Sequence, residues 1–203
     1  MKKTIILLAI AMILGNVAKS QEDKIQKAFT ASYTEEGNGS YTNAINQMKS
    51  VYDDKSYEIN LRLGWLYYSA GMHQEAMNAY QKAINILPYS VEAKLGYVLP
   101  ASTLGNWDKV IEQYQSVLKI DAQNSTVNYR MGYIYYNRKD YANAQKYFEK
   151  VVNLYPFSID GVLMLGWTYL QQGNYKNAKI MLNRALLINP GNTSALDGLK
   201  TIK

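Results

Sequence analysis

The sequence predicts an all-α fold of antiparallel helix pairs stacked side by side, and three observations carry that prediction. Ala76, Val110, Ala144 and Ala178 recur every 34 residues, and so do Tyr80, Tyr114, Phe148 and Leu182. Apolar residues inside one period are three and four apart, as in Val162, Leu165 and Tyr169 and again in Ala178, Leu182 and Ala185, which places each set on one helical face. Pro88, Pro156 and Pro190 close three of the periods at the same interval, with Ala122 standing in the fourth. A fixed period of this size marks a repeat array in which each unit covers its apolar face with its neighbour.

Two periods show the pattern most fully. Residues 159–192 contain Leu165-Gly166, Tyr169, Gly173, Tyr175, Ala178, Leu182, Ala185 and Pro190, and residues 57–90 repeat the order with Leu63-Gly64, Tyr67, Gly71, Ala76, Tyr80, Ala83 and Pro88. This order of small, large and breaker residues resembles the tetratricopeptide repeat. The resemblance implies a right-handed superhelical α-solenoid with units at about 25–56, 57–90, 91–124, 125–158 and 159–192, followed by a capping helix over 193–203. It also implies that the first helix of each pair lines a concave face that receives protein or peptide.

Along the chain, residues 1–20 read as a leader. Lys2 and Lys3 precede an apolar run from Thr4 to Leu14, and Ala18-Lys19-Ser20 supplies small residues for cleavage before Gln21. That run is shorter than the roughly 20 apolar residues a membrane span needs, so an exported, periplasmic or secreted chain without a stable span is expected. Within the repeats, Gly64, Gly132 and Gly166 sit inside first helices, at a cost of about 1 kcal/mol each relative to Ala, which is reasonable where two helices approach closely. Gly39-Ser40, Gly105-Asn106 and Gly173-Asn174 predict a turn residue followed by an N-cap, while Lys139-Asp140 keeps the cap without the Gly. Ser90 and Ser158 are expected to cap the first helices that follow Pro88 and Pro156. Two departures stand out. The first unit precedes the second by 32 residues, which predicts a short linker around Asp53-Asp54, and in the third unit Gly96 comes two residues early with Pro100 set to kink or break its helix near residues 98–104.

Composition narrows the function. The chain has no Cys, so disulfides do not contribute even in an oxidising compartment. Removing Lys2, Lys3 and Lys19 lowers the formal charge from +6 to +3, too little for a nucleic-acid surface. His73, the single histidine, holds the turn place occupied by Tyr41, Trp107, Tyr141 and Tyr175 elsewhere, and without a second His or any Cys it makes no zinc site. Glu35-Glu36 and Asp53-Asp54 read as solvated loop charge, no phosphate loop or nucleophile elbow occurs, and neither catalysis nor a cofactor is expected. The sequons at Asn38, Asn124 and Asn192 all fall at turns, where Asn is common.

The 19 Tyr and 3 Trp point to binding. Immediately after the first-helix Gly stands an aromatic column of Tyr33, Trp65, Tyr97, Tyr133 and Trp167; beside it lie Tyr68, Tyr136 and Leu170 on one side and Phe29, Leu61, Tyr129 and Leu163 on the other. Tyr and Trp bring large contact area at low entropic cost, although part of each ring is also expected to pack between neighbouring units. Arg62, Lys94 and Arg130 precede three of the aromatics by three positions, which suggests a groove for an extended segment with apolar anchors and some negative charge. The family's clamp for a terminal carboxylate, built on Lys and Asn, is mostly missing, since Phe29, Tyr33, Ser90 and Lys94 stand at its sites. The expectation is a binding scaffold, with homo-oligomerisation and carbohydrate stacking as the competing readings.

Overall fold

The computed structural model describes the backbone of residues 2–202 and the side chains of residues 19–202, so most side chains of the expected leader lie outside the described residues. Eleven α-helices and no strand occur among the described residues. The chain divides into two compact units, Met1–Gln113 and Tyr114–Lys203.

In the first unit α1 (Lys2–Gly37) packs on α2 (Tyr41–Lys49), α2 on α3 (Tyr57–Ser69), α3 on α4 (His73–Ile86) and α4 on α5 (Val91–Thr103), with α3 also touching α5. Helix α6 (Trp107–Ile120) follows α5, and the division between the units falls within it. In the second unit α7 (Ser125–Asn137), α8 (Tyr141–Leu154), α9 (Ile159–Gln171), α10 (Tyr175–Ile188) and α11 (Thr193–Lys200) pack each on the next, and α9 touches both α7 and α11. Thus first helices neighbour first helices within each unit. Short turns make each pair antiparallel. Gly39, Gly71, Gly105 and Gly173 take φ between 71° and 76° at those turns, and Lys139 takes the same left-handed conformation at 61° without the freedom Gly has there.

Caps fix where the first helices begin. The side chains of Ser56, Ser90, Asn124, Ser158 and Asn192 each accept a hydrogen bond from the backbone N–H three residues on, so one capping place recurs every 34 residues without slippage. Asp140 and Asn174 cap second helices in the same way, whereas Ser40 makes no such bond.

The core is built on a size match. A Cβ added to Gly64 would stand 2.8 Å from the Tyr80 ring, and one added to Gly96 would stand 2.3 Å from it. In the second unit Gly132 makes the same space for Phe148, and Gly166 and Gly198 make it for Leu182. Around these contacts Ala44, Met48, Ile59, Leu63 and Leu66 form the first unit's core, and Ala144, Val162, Leu165, Ala178 and Ala185 the second's.

Three expectations change. The two residues missing from the first unit are lost from helix α2 and not from the linker: α2 has 9 residues against 14 in α4, while its linker, Ser50–Ser56, is longer than Leu87–Ser90. Helix α5 runs through Pro100 without a break. The proline ring is buried and lies one turn before the helix end, so a single backbone bond is forfeited, and the helix is still closed by Leu104 N–H donating to the Pro100 carbonyl. The third unit also keeps register. Ser90 sets it, so Gly96 stands at the place of Arg62, and Val98 takes the place of the usual Gly.

Gly96→Ala gains about 1 kcal/mol of helix propensity but overpacks a buried ring, which costs about 1–3 kcal/mol, and at 2.3 Å the clash dominates. The expected result in urea unfolding is a lower midpoint for Gly96→Ala and an equal or higher one for Gly37→Ala, where no atom lies within 4 Å of the added carbon.

Candidate binding groove

In the first unit, Phe29 and Tyr33 of α1, Leu61, Arg62 and Trp65 of α3, and Leu95 and Leu99 of α5 line a groove of about 670 Å³. Tyr80 contributes to its floor, and Tyr57, Glu58 and Glu92 also border it. These places converge because first helices pack on first helices and the seating of Tyr80 holds α3 and α5 together. Tyr33 is 58% exposed and Trp65 41%.

One carboxylate holds Trp65 directly and Tyr33 by way of Arg62. Glu36 forms an ion pair with Arg62 at 2.6 Å through one oxygen and accepts the Trp65 indole N–H on the other. Arg62 Nε also donates to Ser32 Oγ at 3.1 Å, and its guanidinium lies 3.8 Å from the centre of the Tyr33 ring. Burial pushes the Glu36 carboxyl up, but the hydrogen bonds from Trp65 and Arg62 and the charge of Arg62 together outweigh it and hold the group below its ordinary value. Arg62 is itself buried. It is therefore a strut between α1 and α3, not the free cation that its sequence position suggests.

Lys94 and Tyr97 are corrected as well. Both are buried, at 4% exposure each, and neither lines the groove. Lys94 occupies the repeat place of Asn60 and Asn128, whose amides donate back to carbonyls of the preceding linker: Asn60 to Asp53, Asp54 and Ser56, and Asn128 to Ala122 and Asn124. Desolvation lowers the Lys94 pKa. The residue that shares the repeat place of Trp65 is Leu99, which the position of Gly96 conceals and the 34-residue cap series reveals. Tyr68 is half-buried, with its ring 6.1 Å from that of Trp65 and 5.7 Å from that of His73, which opens α4.

In the second unit, Tyr129 and Arg130 of α7 border a cleft of about 820 Å³ with Tyr155, Phe157 and Asp160. Arg130 is exposed, Tyr133 is 47% exposed, and Phe157, in the linker after Pro156, is 80% exposed. The helical pattern does not single out Phe157, although Tyr89 repeats it at the same place after Pro88. The remaining candidates here serve the core in part. Tyr129 packs edge-on to Phe148, Tyr136 edge-on to Tyr141, and Leu163 and Leu170 pack against the buried cluster. Trp167 is half-buried, its indole N–H donating to Ser194 Oγ of α11 at 2.9 Å.

Comparison with known proteins agrees with this architecture. Tetratricopeptide-repeat family models match residues 57–90 and 136–201. This chain is a tetratricopeptide-repeat protein. Its fold is that of a scaffold for protein interaction. A repeat-containing protein of Methanocaldococcus jannaschii is 23% identical over 187 residues, an alignment covering 67% of this chain and 33% of that protein. The chain therefore spans about a third of that relative's length. Among solved structures, the MamA protein superposes with a TM-score of 0.74 at 19% identity, covering 83% of this chain and 93% of MamA. A tetratricopeptide-repeat protein of Parabacteroides merdae gives 0.76 at 18% identity, covering 89% and 72%. YrrB, described as having an unusual peptide-binding site, gives 0.73 at 16% identity, covering 92% and 97%. Among the described residues no helix is long and apolar enough to cross a membrane.

Because the folded Glu36 carboxyl is held below the ordinary value of 4.5, its contribution to stability is complete above that value and is lost as pH falls through the depressed one. Acid titration of the urea midpoint is expected to show a decline below about pH 4.5 that is smaller in Glu36→Gln, with Trp65 emission shifting over the same range in a Trp107→Phe, Trp167→Phe background.

Proposed function

We propose that the chain is an exported binding module, not an enzyme, and that it takes an extended segment of another protein on the first-helix face of its repeats. The observation that carries this reading is the pair Tyr33 and Trp65, large rings left well exposed at the rim of a groove and yet fixed in place by Glu36 and Arg62. A ring that is already ordered loses little entropy on binding, and Trp and Tyr are the side chains most often found at the centre of recognition surfaces. The peptide-binding site of YrrB, a protein of the same fold, lends support by analogy. Export rests on the leader pattern of residues 1–20.

Self-association is the second reading. Phe157 and Leu187, each at least 80% exposed, offer apolar contact in the second unit.

Trp65→Ala is expected to weaken capture of a partner from envelope extract by about 30-fold or more, as loss of a central Trp contact does, while circular dichroism and solution mass stay unchanged. Trp167→Ala should instead lower stability and leave capture nearly intact, because that ring is tied to α11. Equal capture by wild type and Trp65→Ala would remove the groove from the proposal. Fractionation of expressing cells should place the protein beyond the inner membrane with Gln21 as its N-terminal residue; an intact Met1 on a soluble cytoplasmic product would refute export.

A further inference from the structure

The groove of the first unit carries a charge pattern opposite to the one its sequence suggests. Among the described residues its one basic lining residue, Arg62, is buried and paired to Glu36, so it offers no free positive charge to an incoming group. The two acids that line it, Glu58 and Glu92, occupy the same place in successive repeats and are both exposed. Neither is ion-paired among the described residues. Glu58 accepts a hydrogen bond from Ser56 Oγ at 3.1 Å, and Glu92 one from Tyr57 Oη at 3.4 Å, while Tyr57 Oη also meets Ser90 Oγ at 2.7 Å.

A carboxylate in the first turn of a helix interacts favourably with the helix dipole, and that accounts for an acid at this place in α3, α5 and α9. It does not account for the rest of the arrangement in the first unit, where two such acids border an aromatic groove whose only cation is neutralised. The faces of the Tyr33, Tyr57 and Trp65 rings are negative and attract a cation set over them, by about 0.5–1 kcal/mol at an exposed site. The Tyr33 ring already holds the Arg62 guanidinium, which leaves Trp65 and Tyr57 for a ligand. An acidic segment would meet like charge, which disfavours a wrong partner.

We infer that this groove selects an extended peptide carrying a Lys or Arg flanked by apolar residues, with the cation received by Glu58 and Glu92 and the apolar neighbours laid on Phe29, Leu61, Leu95 and Leu99. The inference rests on the groove reading proposed above and adds the chemistry of the partner to it.

The test is fluorescence anisotropy on the full chain with three labelled nine-residue peptides, blocked at both ends and built of Leu, Tyr and Ser, that differ only in a central Lys, norleucine or Glu. The Lys peptide is expected to bind about tenfold more tightly than the Glu peptide, with norleucine between them. That advantage should fall to about threefold or less in Glu58→Gln/Glu92→Gln, and it should shrink in wild type at 1 M salt, where the screening length is about 3 Å. A preference for the Glu peptide, or a Lys preference unchanged in the double variant, overturns the inference. Equal binding of all three peptides that is lost in Trp65→Ala keeps the groove reading and removes the charge selection. Failure of every peptide to bind removes both. A dimer seen by sedimentation that dissociates in Trp65→Ala, with no peptide bound, would mean that a second copy fills the groove and would likewise overturn the inference.

Discussion

Three of the helix pairs hang on one steric fit repeated at intervals: a large side chain from a second helix pressed against a first helix that has no side chain to refuse it. Tyr80 enters between Gly64 and Gly96, Phe148 lies on Gly132, and Leu182 lies between Gly166 and Gly198. The glycines weaken their own helices, and the close approach they permit more than offsets that loss through the apolar area removed from water. Tyr80 touches the helix of its own repeat and the first helix of the next, so a single ring sets both the width of a pair and the spacing between pairs. First helices come to lie side by side, and the surface they share is the one that carries the exposed rings.

The Glu36, Arg62 and Trp65 cluster then converts a packing surface into a recognition surface. Burying an ion pair is seldom a gain in stability by itself, because desolvation cancels much of the attraction. Here the pair has a second effect. Glu36 holds the Trp65 indole and Arg62 lies against Tyr33, so two rings that solvent would leave mobile keep one orientation. The order needed for binding is supplied before any ligand arrives.

The repeat period, the helix pairing and the capping helix are all legible in residues spaced by 34, because each is a local pattern of size and polarity repeated in sequence. The groove is legible only in part. Tyr33 and Trp65 stand out because they follow Ser32 and Gly64, the small residues of their helices. Tyr97 passes for a member of the same column because Gly96 mimics that small residue two places early, while Ser90 shows that the helix itself has not slipped. The fate of Arg62 depends on Glu36, a residue 26 positions away on a different helix, and spacing within one helix carries no information about such a partner. Trp167 fits the column in sequence, yet Ser194 on the capping helix claims its indole.

The shared carboxylate also constrains how this protein can change. In many proteins a buried ion pair can be exchanged for an apolar pair with no loss, and often with a gain, of stability. Such an exchange at positions 36 and 62 would leave the Trp65 N–H without its acceptor and the Tyr33 ring without the group stacked on it. A lineage drifting toward a more stable first unit by that route would give up the fixed geometry of its groove in the same step, so persistence of Glu36 and Arg62 together would be a mark of selection on binding and not on folding.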